Sequence, residues 1–211
     1  MTDIFILSLV LTDFRLLATS RLAAVIQTTV LQAIALSAFM LAIADRPWPM
    51  LLISLSLITL TVKGVVLPWL LNRAMREADV RREIEPIVGY SASVLVGMVL
   101  LGLSFLIFMP LKTSASMESA FLLPGALFTT LTGLMMIVSR KNALTQVAGY
   151  LVMENGVYAF GAALAVEEPL LVEMGVLLDV FVAVFVMGIT IYQISREFDH
   201  IDTDRLSELK D

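Results

Sequence analysis

The sequence contains no cysteine and only one histidine, His200, among its 211 residues. A chain without thiols forms no disulfide and holds no cysteine-ligated iron–sulfur cluster, and a lone histidine has no second histidine with which to share a metal. We therefore expect no cofactor and no metal in this chain. If it serves an oxidoreductase, the electrons move in another subunit.

Charged residues are scarce as well, at 16% of the chain against about 25% in soluble proteins. Hydrophobic residues make up 59%, and the mean hydropathy is +0.92. In a bilayer only helices and closed barrels satisfy every backbone polar group, and the apolar runs here are long enough for helices. The predicted fold is therefore all-α, a polytopic membrane bundle. The net charge of −5 gives no reason to expect a nucleic-acid partner.

Seven apolar segments predict about seven transmembrane helices. The weakest is the first, which is short and is interrupted by Asp13; without it, six spans would remain and both chain ends would lie inside. The segments are Thr2–Leu17, Leu22–Ala44, Pro47–Leu71, Pro86–Met109, Ala120–Val138, Ala143–Val166 and Pro169–Ile194. Prolines 47, 86 and 169 stand at segment starts, where a missing N–H costs nothing because first-turn donors have no helical partner.

The distribution of basic residues predicts the orientation of the seven-span chain. Eleven lysines and arginines fall on one side of the membrane, two (Arg46 and Lys112) fall on the other, and Lys63 lies inside a span. Because cytoplasmic loops carry the excess of basic residues, we expect the N-terminus outside and the C-terminus in the cytoplasm.

The segment from Ser139 to Gly161 carries a carboxylate, Glu154, within an apolar run. A charge at a helix centre costs about 2.5–3.5 kcal/mol on insertion scales, so we expect Glu154 to face other protein. It ends a polar stripe at successive steps of four, made of Asn142, Gln146, Tyr150 and Glu154. The supporting polar residues predicted to hold water near the carboxylate are Gln146, Asn155, Tyr150 and Tyr158, and Gly149, Gly156 and Gly161 should let a neighbouring backbone approach.

Three more ionisable residues lie in predicted spans: Lys63, Glu173 and Asp179. Asp179 should lie near mid-membrane and Glu173 near the outer face. Six residues on a helix correspond to about 600° of rotation, so these two carboxylates do not form a dyad. Each charge has a structural interpretation, in which Lys63 neutralises Glu154 or Asp179 and Glu173 reaches the headgroups. The functional interpretation is a proton or ion pathway through Glu154, Asp179, Lys63 and Glu173, because buried carboxylates beside a movable cation are switchable proton sites.

These residues resemble the hydrogenase-4 component E family, which comprises membrane subunits of group 4 [NiFe] hydrogenase and formate hydrogenlyase-type complexes. The matching stretches are RKN (140–142), LVMENGVYAFG (151–161), LLVEMGVLLDVFVAVFVMG (170–188), the acidic tail FDHIDTDRLSELKD (198–211) and the Lys63-to-Pro68 spacing. The last three spans are similar, more distantly, to the K subunit of respiratory complex I and the C subunit of Mrp-type antiporters. In one departure, Leu151 occupies the place of the K subunit's first glutamate, and Glu154 follows one turn later.

The resemblance implies a non-catalytic subunit of the bacterial inner membrane that contacts antiporter-like membrane subunits and the lipid bilayer. It divides the chain into four N-terminal spans (1–112), a three-helix unit similar to the K subunit (113–196) and a cytoplasmic tail (197–211). Its implied role is proton or Na⁺ translocation coupled to redox chemistry elsewhere. Three alternatives remain. The first is a purely structural subunit with static charge pairs, and the second is a subunit of a complex I-like ion-translocating module not attached to a hydrogenase. The third is a stand-alone small-solute transporter, against which the absence of a substrate-sized cluster of polar residues argues.

Overall fold

The structure is a computed structural model that describes residues 2–43, 53, 57, 60–77, 86–109, 121–164 and 188. Apart from short turns at their ends, these residues are helical, and the described part contains no strand. The elements are α1 (Thr2–Ala18), α2 (Leu22–Ile43), a π-helical turn (Val62–Val66) that continues into α3 (Leu67–Glu77), α4 (Tyr90–Phe108), α5 (Leu122–Ser139) and α6 (Ala143–Leu164).

Three of these helices are long and apolar enough to cross a bilayer: α2 over Leu22–Phe39, α4 over Tyr90–Phe108, and α5 over Leu122–Ser139. The prediction of an all-helical, strongly apolar chain is therefore confirmed for the described residues. Seven spans and the positions of the termini remain predictions, and most of the seventh segment lies outside the described residues.

The helices α1, α2, α5 and α6 form a four-helix group in which α2 and α5 each contact both α1 and α6. The π-turn and α3 pack against α2, α3 also touches α6, and α4 packs against α1 and α5. Only 17% of the α4 span is buried, so this helix presents apolar side chains outward along most of its length. The helices of the group therefore come from both sides of the predicted domain boundary at residue 112, and the domain division itself stays a prediction.

Helices α5 and α6 make the most intimate contact in the group, because glycines remove side chains from their interface. A Cβ added to Gly133 would meet the backbone nitrogen of Met153, and one added to Gly156 would meet the backbone nitrogen of Thr130. A Cβ at Gly149 would lie 2.8 Å from the Cβ of Met136. The predicted close approach at Gly149 and Gly156 is confirmed, and it brings residues 130–133 level with residues 153–156.

Two apolar clusters lie at different heights in the four-helix group, and both draw on all four helices. We call them the upper cluster and the lower cluster. The upper cluster is Phe5, Ile6, Leu9, Leu36, Phe39, Leu122, Ala126 and Ala159. The lower cluster is Leu16, Leu17, Val25, Met136, Ala148 and Val152.

The helix at the end of the third predicted segment extends beyond the apolar run. The run ends at Leu71, before the charged residues, whereas α3 continues to Glu77 and includes Arg73 and Arg76. The physical reason is that α3 is amphipathic: Leu67, Leu70, Leu71 and Ala74 are buried against α2 and α6, and arginines on the remaining face do not interrupt a helix.

Candidate functional site: a buried polar layer

Lys63 lies in the π-turn, where the backbone departs from α-helical bonding. The N–H of Leu67 donates to the carbonyl of Val62, five residues earlier. The sequence explains the departure, because Pro68 has no N–H to give the carbonyl of Gly64, and its ring would collide with that carbonyl in a regular helix. Such π-turns inside helices occur frequently at functional sites. Lys63 is buried here, with a relative exposure of 6%.

The ammonium of Lys63 forms an ion pair with Glu154 of α6. Its Nζ lies 3.0 Å from Glu154 Oε1, and it also donates to Asn155 Oδ1 at 3.3 Å. At 3.0 Å the attraction between the charges is strong in a buried site whatever the bond angle. Yet the contact lacks hydrogen-bond geometry, and within the described residues neither carboxylate oxygen of Glu154 receives a hydrogen bond. The pair is thus neutralised in charge and incomplete in hydrogen bonding.

Asp13 of α1 is the second carboxylate inside the group, and its exposure is 0%. Gln32 Nε2 of α2 donates to Asp13 Oδ1 at 2.8 Å, and Thr129 Oγ1 of α5 lies 2.7 Å from Asp13 Oδ2. Gln32 Nε2 also donates to Thr12 Oγ1 at 3.0 Å. Within the described residues Asp13 has no ion-pair partner, so it is held by neutral groups alone.

The Lys63–Glu154 pair and the Asp13 site lie at the same height in the four-helix group. Each of the four helices places buried polar residues between the positions that join the upper cluster and those that join the lower cluster. Three other buried polar residues, Ser37, Ser139 and Thr145, lie outside this interval. We call this set the polar layer. Its members are Thr12, Asp13, Thr28, Thr29, Gln32, Thr129, Thr132, Glu154 and Asn155, with Lys63 added from the π-turn.

Two uncharged members of the polar layer have side-chain oxygens without a hydrogen bond from the described residues. They are Gln32 Oε1 and Thr132 Oγ1. Buried polar atoms are hydrogen-bonded in the large majority of cases, either to protein or to ordered water. Together with the two oxygens of Glu154, these atoms give the layer unused capacity to bind water, which typically makes about three hydrogen bonds when buried.

The other predicted residues take separate places. Gln146 Nε2 donates to the carbonyl of Arg140 at 2.8 Å, just before the N-terminus of α6. Asn142 caps the same helix, because its Oδ1 accepts from the N–H of Leu144 at 2.8 Å. Tyr150 packs against the cluster that joins α2, α3 and α6, and Tyr158 packs against the upper cluster. Of the predicted supporting residues, Asn155 contacts the charged pair directly, by accepting from Lys63.

Glu173 and Asp179 lie outside the described residues, so their part in the pathway stays a prediction. The described residues contain no group of three histidine, aspartate or glutamate side chains arranged to hold a metal ion.

Sequence reasoning missed Asp13, which it treated only as an interruption of the first segment. The available signal was the same one that singled out Glu154, namely an acid within an apolar run that costs energy unless other protein surrounds it. Gln32, in the middle of a clear span, was a second signal, because a buried amide needs partners. That the two residues meet depends on how α1 and α2 pack, and the sequence does not state this.

Comparison with known proteins places these residues in a family. The family of NADH-ubiquinone/plastoquinone oxidoreductase chain 4L matches residues 119–211, which include α5 and α6. Hydrogenase-4 component E of Escherichia coli strain K12 is 31% identical over 148 residues, covering 70% of this chain and 68% of that protein. The chain belongs to the hydrogenase-4 component E family. The resemblance inferred from the sequence is thereby confirmed.

A further relative extends the similarity to nearly the whole length of the chain. The uncharacterized protein Rv0085 of Mycobacterium tuberculosis is 34% identical over 191 residues, covering 90% of this chain and 87% of that protein. No solved structure matches the chain. The family assignment therefore rests on sequence similarity.

Proposed function

We propose that this chain is a non-catalytic membrane subunit of a complex I-like, hydrogenase-type redox complex, and that its buried charges take part in proton or Na⁺ translocation. The family supports the first part, since its relatives are named as subunits of hydrogenase-4 and of NADH-quinone oxidoreductase. The single observation that carries the second part is the Lys63–Glu154 pair.

The chemistry of that pair favours transfer over simple neutralisation. A buried ion pair that only stabilises should have its remaining lone pairs occupied by donors, because desolvation otherwise exceeds the Coulombic gain. Among the described residues no donor bonds the oxygens of Glu154, and the polar layer around it holds further acceptors that receive no hydrogen bond. A proton that arrives on Glu154 would release Lys63 from its charge partner while Asn155 still accepts from the ammonium.

The proposal is tested in membrane vesicles that carry the whole complex, by replacing Glu154 with glutamine. Glu154→Gln keeps the shape of the side chain and removes its charge, so we expect the complex to assemble and to lose most of its ion uptake per electron transferred. Uptake of protons is followed with a pH-sensitive dye and uptake of Na⁺ with radioactive sodium. Assembly is checked by the subunits that co-purify with the chain, which also identifies the redox module.

A matched control removes a charge from the same bundle without touching the pair. Arg15 is exposed on α1, and Arg15→Gln should leave ion uptake unchanged. Full ion uptake in a completely assembled Glu154→Gln complex would refute the translocation role. Asp179→Asn is tested in the same way, because the predicted pathway includes Asp179, Lys63 and Glu173 as well as Glu154.

The alternative of a purely structural subunit is favoured by one observation, the 3.0 Å separation of a fully buried pair. A static pair tolerates removal of both charges much better than removal of one. In that case the double variant Lys63→Met/Glu154→Gln would assemble and retain full ion uptake. Loss of uptake in an assembled double variant favours translocation.

A further inference from the structure

Asp13 carries the one buried carboxylate in the described residues to which the proposed function assigns no role. We propose that Asp13 is a second proton-binding site, which carries a proton as a neutral carboxylic acid in the conformation described here and exchanges it with Glu154 through the polar layer. This inference deepens the proposed function, and the experiment below reads the Asp13 carboxyl directly, so the two can fail separately.

The charges around Asp13 favour the neutral form. Taking an ionised carboxylate out of water costs several kcal/mol unless a cation or several donors compensate. On α1 itself, Arg15 is exposed and Asp3 lies about 15 Å away along the helix. The helices that pack against α1 are α2, α4 and α5. The charged residue nearest the start of α2 is Arg21, which is exposed, and α4 contains no charged residue. The residue that follows α5 is Arg140.

Arg140 is the buried cation next to this region, and it is engaged elsewhere. Its guanidinium donates to the carbonyl of Leu17 at 3.0 Å and lies 4.4 Å from the centre of the Tyr90 ring. Leu17 is one turn beyond Asp13 on α1, in the lower cluster rather than in the polar layer. Asp13 therefore has polar partners with which to share a proton, and among the described residues it lacks a counter-charge that would keep it ionised.

The hydroxyl of Thr129 gives the site a way to accommodate both protonation states. It lies 2.7 Å from Asp13 Oδ2 and 3.1 Å from the carbonyl of Gly125, although it has one hydrogen to donate. When Asp13 is protonated, its O–H donates to Thr129 Oγ1 and the threonine donates to Gly125. When Asp13 is ionised, the threonine turns its hydrogen to Asp13, and Gln32 Nε2 remains the second donor. Neither state leaves the carboxyl without a partner.

The unused oxygens of the polar layer supply the connection to Glu154. Gln32 Oε1 and Thr132 Oγ1 are buried at the same height as both carboxylates and receive no hydrogen bond from the described residues. Water bound to them would link the two sites. In the exchange, the O–H bond of Asp13 breaks and an O–H bond forms on Glu154. The negative charge moves from Glu154 to Asp13, and Lys63 stays bound to Asn155.

The test is infrared spectroscopy of the full chain in lipid vesicles, titrated with pH. A protonated carboxyl absorbs through its C=O stretch apart from the amide bands, so the difference between wild type and Asp13→Asn isolates the Asp13 signal. We expect this carboxyl band near neutral pH in the wild type and its loss in Asp13→Asn, which preserves the size of the side chain. Identical spectra of the two proteins throughout the titration would overturn the proposal.

Two further variants test the contact between Thr129 and Asp13. Thr129→Val removes the hydroxyl next to Asp13 and should change the frequency of the band, whereas Thr28→Val should not. Thr28 is an equally buried threonine of the same layer whose hydroxyl donates to the carbonyl of Ala24 at 2.7 Å. An identical shift in both variants would refute the assigned contact.

The exchange predicts that Glu154→Gln shifts the pH midpoint of the Asp13 band, because the charge at the other end of the layer has changed. An unchanged midpoint would refute the exchange and leave Asp13 as an isolated acid. If the Asp13 band behaves as expected while ion uptake by the assembled Glu154→Gln complex is normal, the proposed function fails and the proton site stands.

Discussion

The polar layer holds two carboxylates that meet the cost of burial in opposite ways. Glu154 is matched by a full cation, Lys63, which a distorted helix turn delivers at 3.0 Å. Asp13 is matched by an amide and a hydroxyl, with no ion pair among the described residues. A cation stabilises only the ionised form, whereas a hydroxyl that both donates and accepts serves either form. This difference is the basis of our proposals that Glu154 takes part in ion transfer and that Asp13 binds a proton.

The largest effect on stability is expected from removing the cation of the buried pair, Lys63. Lys63→Met removes one member of a buried ion pair, which should lower the free energy of unfolding by about 3–5 kcal/mol. The measurement is denaturant unfolding of the full chain in mixed micelles. The double variant Lys63→Met/Glu154→Gln should recover most of the loss. A single variant as stable as the wild type would mean that Glu154 can be neutral at little cost, and the contrast with Asp13 would disappear.

The next largest effect on stability is expected at Gly133, whose contact with α6 sets the height of Glu154 against α5. In Gly133→Ala the new Cβ meets the backbone nitrogen of Met153, which has no flexible end that could move aside. Overpacking of this kind costs typically about 1–3 kcal/mol. Gly102→Ala is the matched control, because nothing lies within 4 Å of a Cβ at that position of α4. Thermal unfolding of both variants checks the prediction, and equal midpoints would contradict the close packing of α5 against α6.

A smaller effect is expected from Asp13→Asn. If Asp13 is already neutral, the substitution changes only the hydrogen-bond pattern, which is worth about 0.5–1.5 kcal/mol. Unfolding in the same micelles as Lys63→Met compares the two sites directly. A loss as large as that of Lys63→Met would show that Asp13 is ionised in the folded state.

The smallest effect on stability is expected from Pro68→Ala, although its effect on the ion pair should be clear. Alanine restores the N–H that the carbonyl of Gly64 lacks, which allows the π-turn to become α-helical and turns Lys63 by roughly 100°. Ion uptake in vesicles of the assembled complex should then fall toward the level of Glu154→Gln. Pro124→Ala is the control, because Pro124 lies in the first turn of α5, where no helical bond is lost. Normal uptake in Pro68→Ala would show that the π-turn does not position Lys63.

The sequence was most informative where a single residue conflicts with its apolar surroundings. Glu154 and Lys63 stood out for this reason, and neutralisation of Glu154 by Lys63 was one of two pairings left open. Gln146 and Tyr150 were less predictable, since a step of four places them on the flank of Glu154 without saying which neighbour each one meets. Gln146 instead donates to the carbonyl of Arg140, because Arg140 lies in the short connection between α5 and α6, where a backbone carbonyl takes part in neither helix's bonding.

By itself, the sequence determined that this is a helical membrane chain, which segments are apolar, and which side chains are too costly to face lipid. These properties depend on composition and spacing, because transfer free energies belong to each residue and add along the chain. Only the tertiary structure decided that Lys63 pairs with Glu154 and that Asp13 meets Gln32 and Thr129. Pairing depends on the height and rotation of one helix against another, which here are fixed by a proline-induced π-turn and by glycines at the contact of α5 with α6.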